Sequence, residues 1–135
     1  MKRLWLDANV ILRFVTKDPP ALAARAARLM ARAEQGEVAL YLSTLVLAEV
    51  VWVLQSFCRY SIAEIARVLI AFASAAGVEV EEREVFIRTL ELARTRKVDF
   101  VDAYLAVRAA QAAEPVCTFD KTDFRRLPVA WVSPE

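Results

Sequence analysis

The chain has 135 residues, enough for one domain with a substantial core, and 58% of them are hydrophobic. Its 18 Lys and Arg nearly balance its 17 Asp and Glu, giving a formal net charge of +1, unlike the strongly basic domains that bind nucleic acid non-specifically. It contains no histidine, which excludes Ser-His-Asp and Cys-His catalysis and the common zinc sites, so its chemistry would depend on carboxylates, hydroxyls, Lys, Arg or metal ions.

The first predicted element is a short buried strand over residues 4–6, which ends at Asp7 and is followed by a helix to about residue 14. Asp18 is predicted to be the N-cap of the next helix, because two prolines follow it and proline is favoured in a first helical turn. This helix ends near Gly36, which suits a left-handed position just after a helix.

A second strand over residues 38–42 precedes a helix whose N-cap is offered by Ser43-Thr44. This helix is apolar all round apart from Glu49, so it should be buried on most sides. Ser61 and Glu64 have the spacing of a capping box, which predicts a helix that begins there and runs to about residue 75.

The alternation of strands and helices continues through the second half of the sequence. The predicted elements are an edge strand over 78–80, an amphipathic helix over roughly 84–97, a helix over 100–113 and strands over 116–119 and 129–132. This pattern indicates an α/β fold with a central parallel β-sheet flanked by helices on both faces, in a single domain over residues 1–135.

Several classes of protein are excluded by what the sequence lacks. It has only two glycines, at predicted helix ends, so it has no Gly-rich phosphate loop of the Walker or dinucleotide-binding type. No apolar run is long enough to span a membrane, and the apolar stretch near the N-terminus is too short for a signal peptide. A cytoplasmic protein without membrane contact is therefore expected.

Two cysteines and several aromatic residues are assigned to the interior. Cys58 and Cys117 are far apart and form no metal-binding spacing, so both are interpreted as small buried hydrophobic residues. Four aromatic residues are assigned mainly to the core: Trp52, Phe57, Tyr60 and Phe72. Any of them left exposed would indicate a dimer or partner surface.

The most informative feature is a set of acidic residues inside apolar runs, Asp7, Glu49, Asp99, Asp102 and Asp120. A buried carboxylate is costly unless a counter-charge or cation accompanies it, so such acids in four separate segments suggest convergence on one ion. Sites in parallel sheets form beyond the carboxyl ends of strands, where Asp7 and Asp120 are predicted and over which Glu49 could lean. Asp99 and Asp102 share a helix face. Carboxylate ligands without histidine favour Mg²⁺ or Mn²⁺.

The ordered set of acidic motifs resembles the PIN domain family and, within it, the VapC-type toxins of prokaryotic toxin–antitoxin pairs. The matching segments are Leu6-Asp7-Ala8-Asn9, Ala48-Glu49-Val50, Asp99-Phe100-Val101-Asp102-Ala103 and Thr118-Phe119-Asp120. The resemblance covers essentially the whole chain. It implies a Mg²⁺- or Mn²⁺-dependent endoribonuclease that is often a homodimer and is held inactive by a cognate antitoxin.

The resemblance also implies roles for individual residues. By position, the family's catalytic and metal-binding quartet corresponds to Asp7, Glu49, Asp102 and Asp120, and an accessory metal-binding acid corresponds to Asp99. Asn9 and Thr118 lie two residues from Asp7 and Asp120 and offer neutral oxygens that could orient ligands or waters.

The stretch after Asp120 departs from the family pattern. Asp120-Lys121-Thr122-Asp123-Phe124 is one residue longer than the usual Asp-x-Asp-Phe form, so either Asp120 or Asp123 could be the fourth acid. Asp120 is favoured because Thr118 stands correctly before it.

Basic residues near the acids could contact RNA phosphates, although basic runs are more often solvated faces. The candidates are Arg13, Arg96, Lys97 and Lys121, with Arg94 and Arg125-Arg126 in the same basic clusters.

Each acid also has a structural interpretation. Asp7, Asp99 and Asp120 could be helix N-caps, and Glu49 could pair with a buried arginine. Functional alternatives are a PIN-like RNA-processing nuclease outside a toxin–antitoxin pair, a binding module with a degenerate site, and a receiver-like signalling domain. The last requires an Asp at the end of the third strand, where the sequence places Glu81.

Overall fold

A computed structural model gives the fold of residues 2–134. Along the chain these residues divide into two units, the first ending at Arg83 and the second beginning at Glu84. The first unit contains β1 (Lys2–Trp5), α1 (Ala8–Thr16), α2 (Pro20–Glu34), β2 (Val38–Leu42), α3 (Thr44–Ser56), α4 (Ile62–Ala73) and β3 (Val78–Val80).

The three strands of the first unit form a parallel sheet in the order β1-β2-β3. Lys2 pairs with Val38 across β1 and β2, and Leu40 pairs with Val78 across β2 and β3. Alternate residues of a strand face opposite sides of its sheet, and Leu40 and Ala39 are both buried, so β2 is covered on both faces. This is the burial typical of a parallel sheet packed between helices.

β1 is less buried than the sequence suggested. It begins at Lys2 rather than residue 4, lies at an edge of the three-stranded sheet, and leaves Trp5 65% exposed. Leu6 is buried and its amide still donates to the Tyr41 carbonyl at 2.9 Å. The prediction of a buried strand over 4–6 is therefore wrong in its bounds and in its burial, since Leu4 is half-buried, Trp5 is exposed and Leu6 lies beyond the strand; an edge strand has a neighbour on one side only.

The predicted N-cap at Asp18 is also wrong. The α2 helix begins at Pro20. Pro19 is the N-cap residue and has an extended backbone, with a φ of −73° and a ψ of 157°. A residue that precedes proline is disfavoured in the helical region, so Pro19 cannot be helical and the helix starts one residue later than Asp18 would allow. The predicted end of this helix is confirmed, since Gly36 has a φ of +82°.

Local capping sequences predicted two helix starts correctly. The Ser43 hydroxyl accepts from the Val46 amide at 3.2 Å and caps α3. The Ser61 hydroxyl accepts from the Glu64 amide at 3.1 Å, and the Glu64 carboxylate accepts from the Ser61 amide at 3.1 Å. Both halves of the capping box are thus present at the start of α4.

The prediction that α3 is buried on most sides is confirmed except along one face. One face of α3 is exposed and carries Leu45, Glu49 and Trp52, whose spacing of four and three residues places them on the same side of the helix. Beyond the helix, Phe57 is 70% exposed. Its ring packs edge to face with that of Trp52, with the ring centroids 5.3 Å apart. Apolar composition alone did not reveal which face lacked a covering element.

Burial also corrects the assignments of the cysteines and aromatic residues. Cys58 and Cys117 are both exposed free thiols, since one lies in the turn after α3 and the other in a two-residue strand. Of the four aromatic residues assigned to the core, Phe72 is buried and Tyr60 is half-buried.

The second unit combines helices with a second, smaller parallel sheet. It contains α5 (Arg83–Arg96, whose first residue belongs to the first unit), α6 (Phe100–Gln111), β4 (Val116–Cys117), α7 (Lys121–Phe124) and β5 (Trp131–Val132). β4 and β5 pair in parallel, with Val116 opposite Trp131. Phe86 of α5 and Phe100 of α6 pack edge to face with ring centroids 6.0 Å apart. The sequence indicated the four-residue helix α7 only through the alternative role of Asp120 as a helix N-cap, and the last residue of α7, Phe124, is buried and anchors it.

The predicted α/β class is confirmed, because parallel strands alternate with helices in the described chain. None of the helices formed by residues 2–134 is long and apolar enough to cross a membrane.

Candidate metal centre

The second unit brings three carboxylates together. Asp102 lies in the first turn of α6, Asp120 is the N-cap of α7 and Asp123 lies within α7. One carboxylate oxygen from each residue lies within 4.8 Å of the others. These residues come from two segments of the sequence, so the grouping depends on the packing of α7 against α6.

Hydrogen bonds hold Asp120 and Asp123 in this arrangement. The Thr118 hydroxyl accepts from the Asp120 amide at 2.8 Å, and Asp120 Oδ1 accepts from the Asp123 amide at 3.0 Å. Arg126 Nη2 donates to Asp123 Oδ1 at 2.6 Å. Asp120 therefore caps α7, as its structural interpretation predicted, while its second oxygen is not used by that cap.

The electrostatics of the cluster favour a cation. Burial raises the pKa of the Asp102 carboxyl above its ordinary value, and the negative charges of Asp99, Asp120 and Asp123 raise it further. A divalent cation among these groups would oppose both effects, because it stabilises the ionised form of each carboxylate.

The residues present fit a hard divalent cation. The three side chains supply only carboxylate oxygens, which Mg²⁺ and Mn²⁺ prefer. Ligands on opposite sides of a Mg²⁺ ion lie about 4 Å apart, close to the spread of the three oxygens. Asp102, Asp120 and Asp123 could therefore hold one ion after small side-chain adjustments.

Asp99 lies beside this cluster without belonging to it. It is the N-cap residue of α6 by position, but its side chain makes no capping hydrogen bond. No side-chain hydrogen bond therefore supports a capping role for Asp99. Its negative charge instead raises the pKa of Asp102.

The remaining acids of the predicted site lie in the first unit, together with Asn9. Asp7 is the N-cap of α1, and its Oδ1 accepts from the Ala8 amide at 2.8 Å, which confirms the cap interpretation. Asn9 lies in the first turn of the same helix, and Glu49 lies in the middle of α3. Glu49 makes no ion pair with any residue in 2–134, so its pairing with a buried arginine is wrong.

The premise that these acids are buried is corrected by the structure. Asp7, Glu49, Asp99 and Asp120 are exposed, and only Asp102 is half-buried. Several apolar neighbours of these acids are buried, among them Leu6, Val50 and Phe100, whereas the acids themselves occupy caps, a helix start and an exposed helix face. The reason for expecting a cation is therefore the mutual proximity of Asp102, Asp120 and Asp123 rather than complete burial.

The basic candidates occupy different environments. Arg96 Nη1 donates to the Arg126 carbonyl at 2.7 Å, so it ties the end of α5 to the turn after α7. Lys97 follows α5 with a φ of +56°, and Lys121 opens α7; both are exposed. Arg13 donates to the Asp18 carbonyl at 3.3 Å.

Two charged residues with structural roles were missed or undervalued. Glu81, which follows β3, accepts from the Thr44 amide at 3.0 Å and so holds the start of α3. Arg126, considered only as part of a basic run, pairs with Asp123. The available signal for this pair was the spacing of three residues between Asp123 and Arg126.

Comparison with known proteins decides the family. The family model described as "PIN domain" matches residues 4–130 of the chain. The chain belongs to the PIN domain family. PIN domains are generally nucleases and generally use divalent metal ions, and the PIN domain described here contains an acidic cluster that fits such an ion.

Solved structures and curated proteins add little to this assignment. The chain is similar to one in the crystal structure of VapBC2 from Rickettsia felis bound to a DNA fragment from their promoter. The two chains are 18% identical, the alignment covers 100% of each, and the TM-score is 0.40. No match was found among curated proteins. The family assignment therefore depends on the match to the PIN domain model.

Proposed function

We propose that this PIN domain is a Mg²⁺- or Mn²⁺-dependent endoribonuclease that hydrolyses RNA phosphodiesters. The observation that carries the proposal is the cluster of Asp102, Asp120 and Asp123, whose carboxylate oxygens lie within 4.8 Å of one another. The chain's family membership supports nuclease chemistry, and a sequence without histidine is consistent with catalysis by carboxylates and metal ions.

We assign the other acids the roles that the family resemblance implies. Asp7 and Glu49 act with Asp102 and Asp120 as a catalytic and metal-binding quartet, and Asp99 is an accessory metal contact. The match of one family model across residues 4–130 supports a single nuclease domain over the whole chain. Asn9 and Thr118 have supporting roles, and the bond from the Asp120 amide to the Thr118 hydroxyl is consistent with such a role for Thr118.

The chemistry of the site follows from its charge. A divalent ion, when bound, supplies an activated water and stabilises the departing oxygen of a phosphodiester. Asp7, Glu49, Asp102 and Asp120 would hold this ion, and the Arg126–Asp123 pair leaves Asp120 and Asp102 with the greater share of unpaired negative charge.

The biological setting is proposed as that of a toxin in a type II toxin–antitoxin pair, in the cytoplasm. The resemblance of the acidic motifs to VapC-type toxins supports this setting, which implies a cognate antitoxin and a homodimer. The exposed apolar side chains of α3 and the following turn, Leu45, Trp52 and Phe57, are suitable for covering by a protein partner. A PIN-like RNA-processing nuclease without an antitoxin would use the same chemistry.

A cleavage assay with purified protein tests the proposal. We expect the chain to cut single-stranded RNA internally in the presence of Mg²⁺ or Mn²⁺, and to lose this activity in EDTA, because the carboxylates alone provide no activated water. Restored cleavage after adding Mn²⁺ in excess of EDTA would show that metal removal did not damage the protein. Equal cleavage with and without EDTA would contradict the proposal.

The identity of the fourth acid leads to a separate prediction. We expect Asp120→Asn to reduce cleavage more than Asp123→Asn, because Arg126 already neutralises Asp123 and Thr118 orients the segment that carries Asp120. Initial cleavage rates at saturating Mn²⁺ measure the difference. A larger loss for Asp123→Asn would assign the fourth position to Asp123 instead.

The receiver-like alternative is not favoured by the residue after β3. That position is occupied by Glu81, whose carboxylate accepts from the Thr44 amide and is therefore engaged in holding α3. Labelling with acetyl phosphate would be expected only of a phosphoacceptor domain.

A further inference from the structure

Four arginine side chains line one groove of the first unit, which has a volume of about 640 Å³. Arg13 comes from α1, and Arg25, Arg28 and Arg32 come from α2. The three on α2 are three and four residues apart, so they project from one face of the helix. Seven residues of helix span about 10 Å, which makes the arginines a row rather than a point of charge.

This row of arginines has no acidic counterpart. No carboxylate lines the groove among the described residues, and Arg25, Arg28 and Arg32 make no ion pair with any of residues 2–134. Arg13 donates to a backbone carbonyl rather than to a carboxylate. The chain as a whole carries only +1, so this concentration of positive charge is local and favours an anion with several negative groups.

The groove extends to the start of α1. Asn9 lines it together with Arg13, which is four residues further along the same helix and thus one turn away. Asp7 caps the N-terminus of that helix, two residues before Asn9. An anionic chain held by the arginines would therefore pass close to a residue proposed to bind the metal.

The remaining lining favours contact with a backbone rather than with bases. The apolar residues are aliphatic, Val10, Leu22, Ala26 and Leu29, and the lining has no aromatic side chain on which a base could stack. Guanidinium groups form bidentate hydrogen bonds with phosphate oxygens, and such contacts hold a nucleic acid without reading its sequence.

We propose that this groove binds the phosphate backbone of single-stranded RNA and positions it next to Asp7. The proposal rests on the proposed ribonuclease function and identifies Arg13, Arg25, Arg28 and Arg32 as positioning residues for its substrate. It adds three α2 arginines to the RNA contacts expected from the sequence.

The salt dependence of RNA binding tests this role. A fluorescein-labelled 12-nucleotide oligouridylate is titrated with protein at several KCl concentrations, in an Asp102→Asn background that prevents cleavage. Each lost arginine–phosphate contact should reduce the slope of log affinity against log salt by about 0.7, so the Arg25→Gln/Arg28→Gln/Arg32→Gln variant should lose about 2 from the slope. Arg67→Gln, an exposed arginine of α4 outside this groove, is the matched control and should leave the slope unchanged.

The outcomes separate this proposal from the proposed function. Thermal unfolding shows whether the triple variant is folded. If it is not, Arg28→Gln alone is measured instead and should reduce the salt slope by about 0.7. An unchanged salt slope in folded protein would overturn the groove assignment even if the wild-type chain cleaves RNA. The triple variant is also titrated with an amphipathic Glu/Leu peptide. If it loses peptide binding but keeps RNA binding, the proposal is overturned, since the groove would then dock a protein. Arginine-dependent RNA binding by a chain that never cleaves would support the groove and contradict the nuclease.

Discussion

Asp102→Asn is expected to lower Mn²⁺-dependent RNA cleavage by at least about 100-fold, since even groups that only support metal ligands commonly contribute about 10–100-fold. Asparagine has nearly the same shape as aspartate but lacks its charge, so the substitution removes a proposed ligand without creating a cavity. Initial rates at saturating Mn²⁺ measure the loss.

The same substitution should leave the metal-free protein at least as stable as the wild type. Burial and three neighbouring acids raise the pKa of Asp102, which means that its ionised form is less favourable in the folded chain than in the unfolded one. The stability cost of ionising Asp102 is absent below its ordinary pKa and fully present above its raised one, so removal of the charge at neutral pH should not lower the melting temperature.

Asp18→Asn is the matched control for Asp102→Asn. Asp18 is an exposed acid between α1 and α2 and does not belong to the carboxylate cluster, so its loss should change neither cleavage nor stability appreciably. Full cleavage by Asp102→Asn, or an equal loss in Asp18→Asn, would contradict the assignment of Asp102 as a metal ligand.

Gly77→Ala is expected to lower the free energy of unfolding by about 3 kcal/mol, the sum of a left-handed conformation and steric overlap. Gly77 has a φ of +81° and lies just before β3, where its carbonyl accepts from the Leu40 amide at 2.8 Å. An added Cβ would overlap the backbone carbonyl of Ala33, near the end of α2. Because a backbone carbonyl in a helix cannot move aside cheaply, β3 or α2 would have to shift.

Gly36→Ala separates the two contributions. Gly36 has nearly the same φ, +82°, but its added Cβ would have no neighbour within 4 Å. Only the conformational cost of about 1 kcal/mol should remain. Urea unfolding of both variants measures the difference, and equal destabilisation would show that the approach of Ala33 to Gly77 is unimportant.

Local signals in the sequence predicted the elements well. Each correctly predicted feature depends on residues close together in the sequence. These features are the strand Val38–Leu42, the Ser43 cap, the Ser61–Glu64 capping box and the left-handed Gly36. The exception, Asp18, shows the same physics, since it was the restriction on Pro19 before Pro20 that moved the start of the helix.

Burial was harder to predict, because it depends on what covers each face in the folded protein. Leu47 and Val50 are buried residues of α3. Trp52 on the same helix and Phe57 just after it are also large or apolar, yet both are exposed. Cys58 and Cys117 were misassigned for the same reason. The acids were wrongly expected to be buried, although the apolar runs around them correctly indicated strands and helices next to the core.

The candidate site could be predicted only in part. The resemblance pointed to Asp102 and Asp120, but the proximity of Asp123 to both depends on the short helix α7, and its pairing with Arg126 depends on the same four residues. The α2 arginines were not singled out, although the spacing of Arg25, Arg28 and Arg32 already placed them on one helix face.

Calorimetric titration of Mn²⁺ into the purified chain and its Asp7→Asn and Asp102→Asn variants is the most direct test of a metal site shared by distant parts of the sequence. We predict clear Mn²⁺ binding by the wild type and much weaker binding by both variants, because each would remove a ligand of the same site. Wild-type affinity in Asp7→Asn, or no detectable binding in the unaltered chain, would contradict the shared site.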